Sequence, residues 1–225
     1  LRIHPNGILD YQPERLLEIL KSNGVEKILG PIEWLGSQEK WERAKDAHKQ
    51  RGDSARCYRA VPGLVNMNRN CTTLVAGSSS LSYRDKDLSP QIARLALGYK
   101  KAKSYNSLSP HFYWENEDKT RFRYYIDARL KSVKRKYAVE VAVPWVLPWA
   151  QSKTKRMLTE GGIALNQTSN HHFQTPVNFD LPDTPIDSLI CDSLRESINF
   201  YAKAFFKLVP ESAKNSYFSE YPHVK

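Results

Sequence analysis

Asp127 and Glu140 are the residues whose type and spacing best suit catalysis in this chain. Each falls in a run of alternating apolar and polar residues, on the polar side of it. If the two runs are neighbouring strands, the carboxylates share a face and would hold Mg²⁺ or Mn²⁺ for phosphodiester hydrolysis. The spacing resembles a nuclease arrangement with Asp on one strand and Glu-x-Lys on the next, but Ala142 stands where the lysine belongs. The plainer reading, and the one we favour, pairs Asp127 and Glu140 with Arg121, Arg123 or Arg129 as opposite charges across strands. On that reading the protein needs no cofactor.

Other chemistry is sparser. His171 and His172 lie near Asp180 and Asp183. Adjacent residues on a strand face opposite ways and seldom share a metal, so we read a polar loop and assign no metal site. His111, with Tyr113 and Trp114, suits either stacking on a base or closure of the core. The sequence holds no G-x-x-x-x-G-K, G-x-G-x-x-G, G-x-S-x-G or C-x-x-C, which removes the usual phosphate loops, the hydrolase elbow and a compact zinc site.

Charge says more. The chain carries a formal charge of +10, and residues 51–156 hold twenty-one Lys/Arg against eight acids. Residues 1–50 are balanced, and residues 157–225 are slightly acidic. The cationic residues we single out are Lys100, Lys101, Lys103, Arg121, Arg123, Arg129, Lys131, Lys134, Arg135, Lys136, Lys153, Lys155 and Arg156. Self-repulsion in such a block is relieved by a polyanion, most commonly a phosphate backbone. Aromatic residues interleave with it: Tyr99, Tyr105, Phe112, Tyr113, Trp114, Tyr124, Tyr125 and Tyr137. Exposed rings among cations suit stacking on nucleobases, and Tyr125 shares its expected face with four charged residues.

The elements that must position these residues follow from periodicity. Pro13–Ser22 predicts a helix with Leu16, Leu17 and Leu20 inward, closed by Asn23-Gly24. Ser37 begins a second helix to about Gln50. Residues 52–88 suggest short strands around Val61, Leu64, Val65, Leu74 and Val75, with a loop at 77–80. A helix is expected from Pro90 to Lys103, with Ile92, Leu95, Ala96 and Tyr99 inward. Arg121–Leu130 and Tyr137–Val143 alternate with period two and predict an antiparallel hairpin whose basic tip is Lys131–Lys136. A short basic helix at Lys153–Glu160, a brief strand at Ile163–Leu165 and a loop at 167–182 come next. A long helix from Thr184 to about Leu208 presents Ile186, Leu189, Ile190, Leu194, Ile198, Tyr201, Phe205 and Leu208.

Composition sets the frame. Apolar residues make up 40% of the 225, enough for a packed core. The longest apolar run, Val139–Ala150, is far from the eighteen or so residues of a membrane helix. The start lacks a signal pattern, and Leu1 in place of Met suggests a trimmed piece of a longer chain. Cys57, Cys71 and Cys191 are an odd count without a close pair, so free thiols in a reducing, intracellular compartment are expected. Asn70-Cys71-Thr72 and Asn166-Gln167-Thr168 match the glycosylation triplet, at about the frequency chance supplies.

The expectation is thus one α+β domain over residues 1–225, with a central antiparallel hairpin or small sheet packed by helices and a long C-terminal helix. Its expected function is non-catalytic nucleic-acid binding through a basic region within 90–156, as DNA or RNA binding or as a subunit of a ribonucleoprotein assembly. The alternatives are a metal-dependent nuclease using Asp127 and Glu140, and a structural protein that meets an acidic protein partner. No membrane partner is expected.

Overall fold

The structure is a computed structural model, and it describes residues 1–4, 11–36, 55–57, 60, 63, 65–77, 80–88, 93–101, 103, 107–131, 136–166 and 178–180. Strands dominate it. In chain order they are β1 (Arg2–His4), β2 (Lys27–Ile28), β3 (Glu33–Trp34), β4 (Cys71–Ala76), β5 (Leu81–Tyr83), β6 (Ala93–Lys101), β7 (Ser107–Trp114), β8 (Phe122–Leu130), β9 (Tyr137–Ala142), β10 (Ala164–Leu165) and β11 (Asn178–Asp180). Helices α1 (Pro13–Ser22) and α2 (Leu147–Glu160) accompany them.

The helix at 13–22 forms where its sequence places it. Pro13 fits the first turn, where no N–H partner is lost, and Leu16 and Leu20 are buried. The chain leaves through Gly24 at φ +69°, whose N–H donates to the carbonyl of Lys21, a conformation that suits glycine. α2 likewise has a proline, Pro148, in its first turn, buries Trp149, Ala150, Thr154 and Leu158, and is capped by Gly161. The two helices pack side by side. The Tyr11 hydroxyl meets that of Thr154 at 2.8 Å, and Lys153 reaches Glu14 at 3.2 Å. Gly161 lies against Leu17, and a Cβ there would collide with that side chain.

Among the described residues the strands form four sheets. β11-β1-β3 and β10-β2 are parallel, so they join segments far apart in sequence. β5-β4-β9 is antiparallel. The largest is mixed: β8 lies between β6, parallel to it over nine residue pairs, and β7, antiparallel to it. Along β8, Phe122, Tyr124, Ile126, Ala128 and Leu130 are fully buried. They join one continuous core that runs from Ile3 to Phe179. The Tyr124 hydroxyl donates to the carbonyl of Ala142 at 2.5 Å, which ties the mixed sheet to β9.

Several expectations change. The α+β arrangement of a hairpin packed by helices is replaced by several sheets with two short helices among the described residues. Pro90–Lys103 is no helix: the described part is strand β6. Its residues Leu95, Leu97 and Tyr99 also read with period two, and pairing to β8 along the full length decides between the periods. The strands at 122–130 and 137–142 exist with the expected faces, but they do not pair with each other. β8 is the centre of one sheet and β9 pairs with β4 in another. The basic helix at 153–160 is the second half of the longer α2. Cys57 and Cys71 are joined in a disulfide rather than free. The expected helices at 37–50 and 184–208, the histidines 171 and 172, and Cys191 lie outside the described residues.

Candidate functional site

The outward face of the mixed sheet gathers most of the chemistry that the sequence singles out. Alternation along β8 turns Arg123, Tyr125, Asp127 and Arg129 away from the core. Register places His111 opposite Tyr125, Tyr113 opposite Arg123 and Ser109 opposite Asp127 on β7. On β6, Gly98 stands beside Asp127 and Lys100 beside Arg129.

These side chains are ordered by one another. Arg123 donates through Nε and Nη2 to Oε1 of Glu115, at 2.9 and 2.7 Å. That hydrogen bond holds the guanidinium firmly in its charged form, with a pKa above the ordinary arginine value. The same guanidinium lies 5.9 Å from the centre of the Tyr113 ring, within cation–π range. The ring of Tyr125 lies over Gly98, in the space that a Cβ would fill, and 6.4 Å from the imidazole of His111. Tyr113 and Tyr125 nevertheless remain 40% and 39% exposed. Oδ1 of Asp127 is buried beneath this face with no hydrogen-bond partner among the described residues.

The expected carboxylate pair is not assembled by strand pairing. Asp127 is on the mixed sheet, whereas Glu140 is exposed on β9 opposite Thr73. Neither forms an ion pair with Arg121, Arg123 or Arg129 among the described residues; Glu115 takes Arg123 instead. Among the described residues no three His, Cys, Asp or Glu side chains converge. The cations divide as well. Lys153 is held by Glu14, and Arg156 makes a two-pronged contact to buried Asp87 at 2.8 and 2.7 Å, with Glu160 at 2.6 Å. Those contacts raise the Arg156 pKa further above the ordinary value, the hydrogen bonds to Asp87 first. Lys155 borders a small cleft of about 210 Å³ with Pro31, Ile32, Trp34 and Gln151. Lys100, Lys101, Lys103, Lys131 and Lys136 are exposed, and Lys134 and Arg135 lie outside the described residues. Of the interleaved aromatics, Phe112 and Tyr124 are core, while Tyr99, Tyr113 and Tyr125 are exposed.

No protein-family model matches this sequence, and no curated protein is similar to it. Its fold, however, is similar to solved structures. Two of them are crystal structures of penicillin binding protein 4 from Haemophilus influenzae, one complexed with a novel β-lactam. The TM-scores are 0.57 and, for the complex, 0.53, at 16% and 15% identity. Some 90% and 91% of this chain is covered, but only 46% and 44% of those chains. The chain thus spans less than half the length of the proteins it resembles. A likeness at this identity is one of fold.

That likeness overturns the expectations of nucleic-acid binding, of a nuclease and of an acidic protein partner. It also directs attention to a pattern passed over in the sequence. Penicillin-recognising serine enzymes carry Ser-x-x-Lys, Ser-Asp-Asn and Lys-Thr-Gly. Here Ser-x-x-Lys occurs at Ser37–Lys40 and Ser152–Lys155, and Ser-x-Asn at Ser104–Asn106 and Ser197–Asn199; Lys-Thr-Gly does not occur within these 225 residues. Ser152 and Lys155 lie one turn apart in α2, the serine half-buried and the lysine exposed. The other three lie outside the described residues. Such short patterns arise readily by chance, so only the fold gives a reason to look for them.

Proposed function

We propose that this chain is a portion of a penicillin-binding cell-wall enzyme of the DD-peptidase kind, acting on peptidoglycan. The fold likeness over nine-tenths of the chain carries this reading. In such an enzyme a serine hydroxyl attacks a peptide carbonyl of the substrate and the amine leaves, or it opens the ring amide of a β-lactam that imitates that peptide, and water then hydrolyses the acyl-serine ester. Ser197-Ile198-Asn199 is the triplet we assign to the Ser-x-Asn part. Its middle residue departs from the Asp of Ser-Asp-Asn.

The test is covalent labelling of the full-length protein with a fluorescent penicillin. A labelled band that excess unlabelled β-lactam abolishes is expected. Ser197→Ala should slow labelling on the order of 10²-fold, the effect of removing one polar group from such a centre. Mass spectrometry of the labelled peptide identifies the acylated serine. Absence of any β-lactam adduct in folded protein sinks the reading.

A further inference from the structure

We propose that the outward face of the β6-β8-β7 sheet is a docking surface for an acidic glycan strand of the cell wall, one whose sugars carry carboxylates. The choice of occupant rests on the cell-wall reading above. The surface itself is argued from its residues.

The inner face of this sheet satisfies the core completely with Phe122, Tyr124, Ile126, Ala128 and Leu130. The outer face has no such duty, yet it is not the scatter of charges that water alone would favour. Tyr113 and Tyr125 lie on it as diagonal neighbours, with about 7–8 Å between such positions. Both rings are fixed before any ligand arrives. Arg123, gripped by Glu115, braces Tyr113. Gly98 leaves the hollow across which Tyr125 lies. Rings held this way lose little freedom on binding. Their exposed faces carry the negative side of the ring quadrupole, which attracts the C–H groups of a sugar ring.

Charge selects among glycans. Arg129 and Lys100 are register partners on the same face, both exposed and without an ion pair among the described residues. Against them stands Asp127, with one oxygen buried. A neutral sugar would use the rings and leave the cations idle. An acidic peptide would use the cations and leave the rings idle. A glycan bearing carboxylates engages both, and it complements the positive charge of the face.

The experiment is co-sedimentation of full-length protein with beads carrying a polyuronic acid, a glycan whose sugars bear free carboxylates, beside the penicillin-labelling assay. The parent should sediment. The pair Tyr113→Ala/Tyr125→Ala and the pair Lys100→Ala/Arg129→Ala should each bind roughly tenfold more weakly. Tyr113→Phe/Tyr125→Phe should bind like the parent, since the ring faces remain. Blocking the glycan's carboxylates by amidation should weaken the parent and remove the effect of the Lys100/Arg129 pair. The Phe pair and the Lys100/Arg129 pair should melt like the parent, Tyr113→Ala/Tyr125→Ala should stay folded with a lower melting temperature, and all should label with penicillin at the parent's rate. Failure of the parent to sediment while it labels normally overturns the docking surface and leaves the enzyme reading standing. Sedimentation with the expected variant losses, but no labelling, sinks the enzyme reading and supports the surface. Sedimentation that both alanine pairs leave unchanged places the glycan elsewhere and overturns the proposal.

Discussion

Three tyrosines show how burial, rather than chemistry, uses a polar side chain here. Tyr11, Tyr83 and Tyr124 each have a pKa pushed above the ordinary value of 10.0, burial being the first cause in all three. Folding therefore keeps their protons on at a pH where the unfolded chain would release them. The folded state binds more protons above the unfolded pKa, so stability is complete below about pH 10 and falls as pH rises beyond it. Denaturant midpoints should decline above that pH, with the share of tyrosinate absorbance that belongs to these three rings appearing only on unfolding. Tyr124→Phe should flatten the decline, while losing on the order of 0.5–1.5 kcal/mol at neutral pH with the bond to Ala142. Ionisation of all twelve tyrosines in protein still folded would contradict this. The alternation of β8 marks Tyr124 as buried, and no local pattern does so for Tyr11 or Tyr83. Tyr124 and its neighbour Tyr125 differ only in which side of β8 they take, and the alternation alone reveals that.

At the scale of elements, a missing Cβ is the decisive feature of β6. Glycine weakens a strand unless something occupies the space it leaves, and here the Tyr125 ring does. Gly98→Ala should displace that ring and lower stability by about 1 kcal/mol. With Tyr125→Ala already in place the same change should be neutral or slightly stabilising, because alanine reduces the freedom of the unfolded chain. Chemical denaturation of the four proteins measures the coupling, and additivity within about 0.3–0.5 kcal/mol would show that the two residues are independent. Strand β8 was legible because its period of two is unbroken over nine residues. Strand β6 was not: Leu95 and Tyr99 are four apart and suit a helix face as well as a strand face, and the lysines at its end imitate a helix terminus. Pairing with β8 settles the matter, and no local pattern contains that pairing.

For the molecule as a whole, the Cys57–Cys71 bond closes a loop onto the start of β4, whose residues Cys71–Ala76 pair with β9. A bridge over about fifteen residues stabilises by roughly 3 kcal/mol, mainly by restricting the unfolded chain. Reduction, or Cys57→Ser with Cys71→Ser, should lower the melting temperature accordingly. Peptide mapping under non-reducing conditions should recover Cys57 linked to Cys71 and leave Cys191, by count, as the thiol that alkylates. Equal melting curves with and without reductant would show that the bridge constrains nothing. The odd cysteine count misled because parity describes the set, whereas a bridge depends only on whether two Cα atoms come close, here 5.5 Å apart.

The sequence by itself determined what local chemistry can specify: the first helix with its proline start and glycine exit, the two faces of β8, the alternation of β9, the breaks at Gly24 and Gly161, and the excess of cations between residues 51 and 156. Each depends on neighbours within one turn of helix or a few residues of strand. Only the tertiary structure decided which strands pair. β8 and β9 are adjacent in sequence and belong to different sheets, while β1 pairs in parallel with a strand some 175 residues later. It likewise parted Asp127 from Glu140, and bound Lys153 and Arg156 to Glu14 and Asp87 across the chain. Sheet partners are chosen by the burial of whole faces against a shared core, and that energy is a property of the assembled layers rather than of any segment.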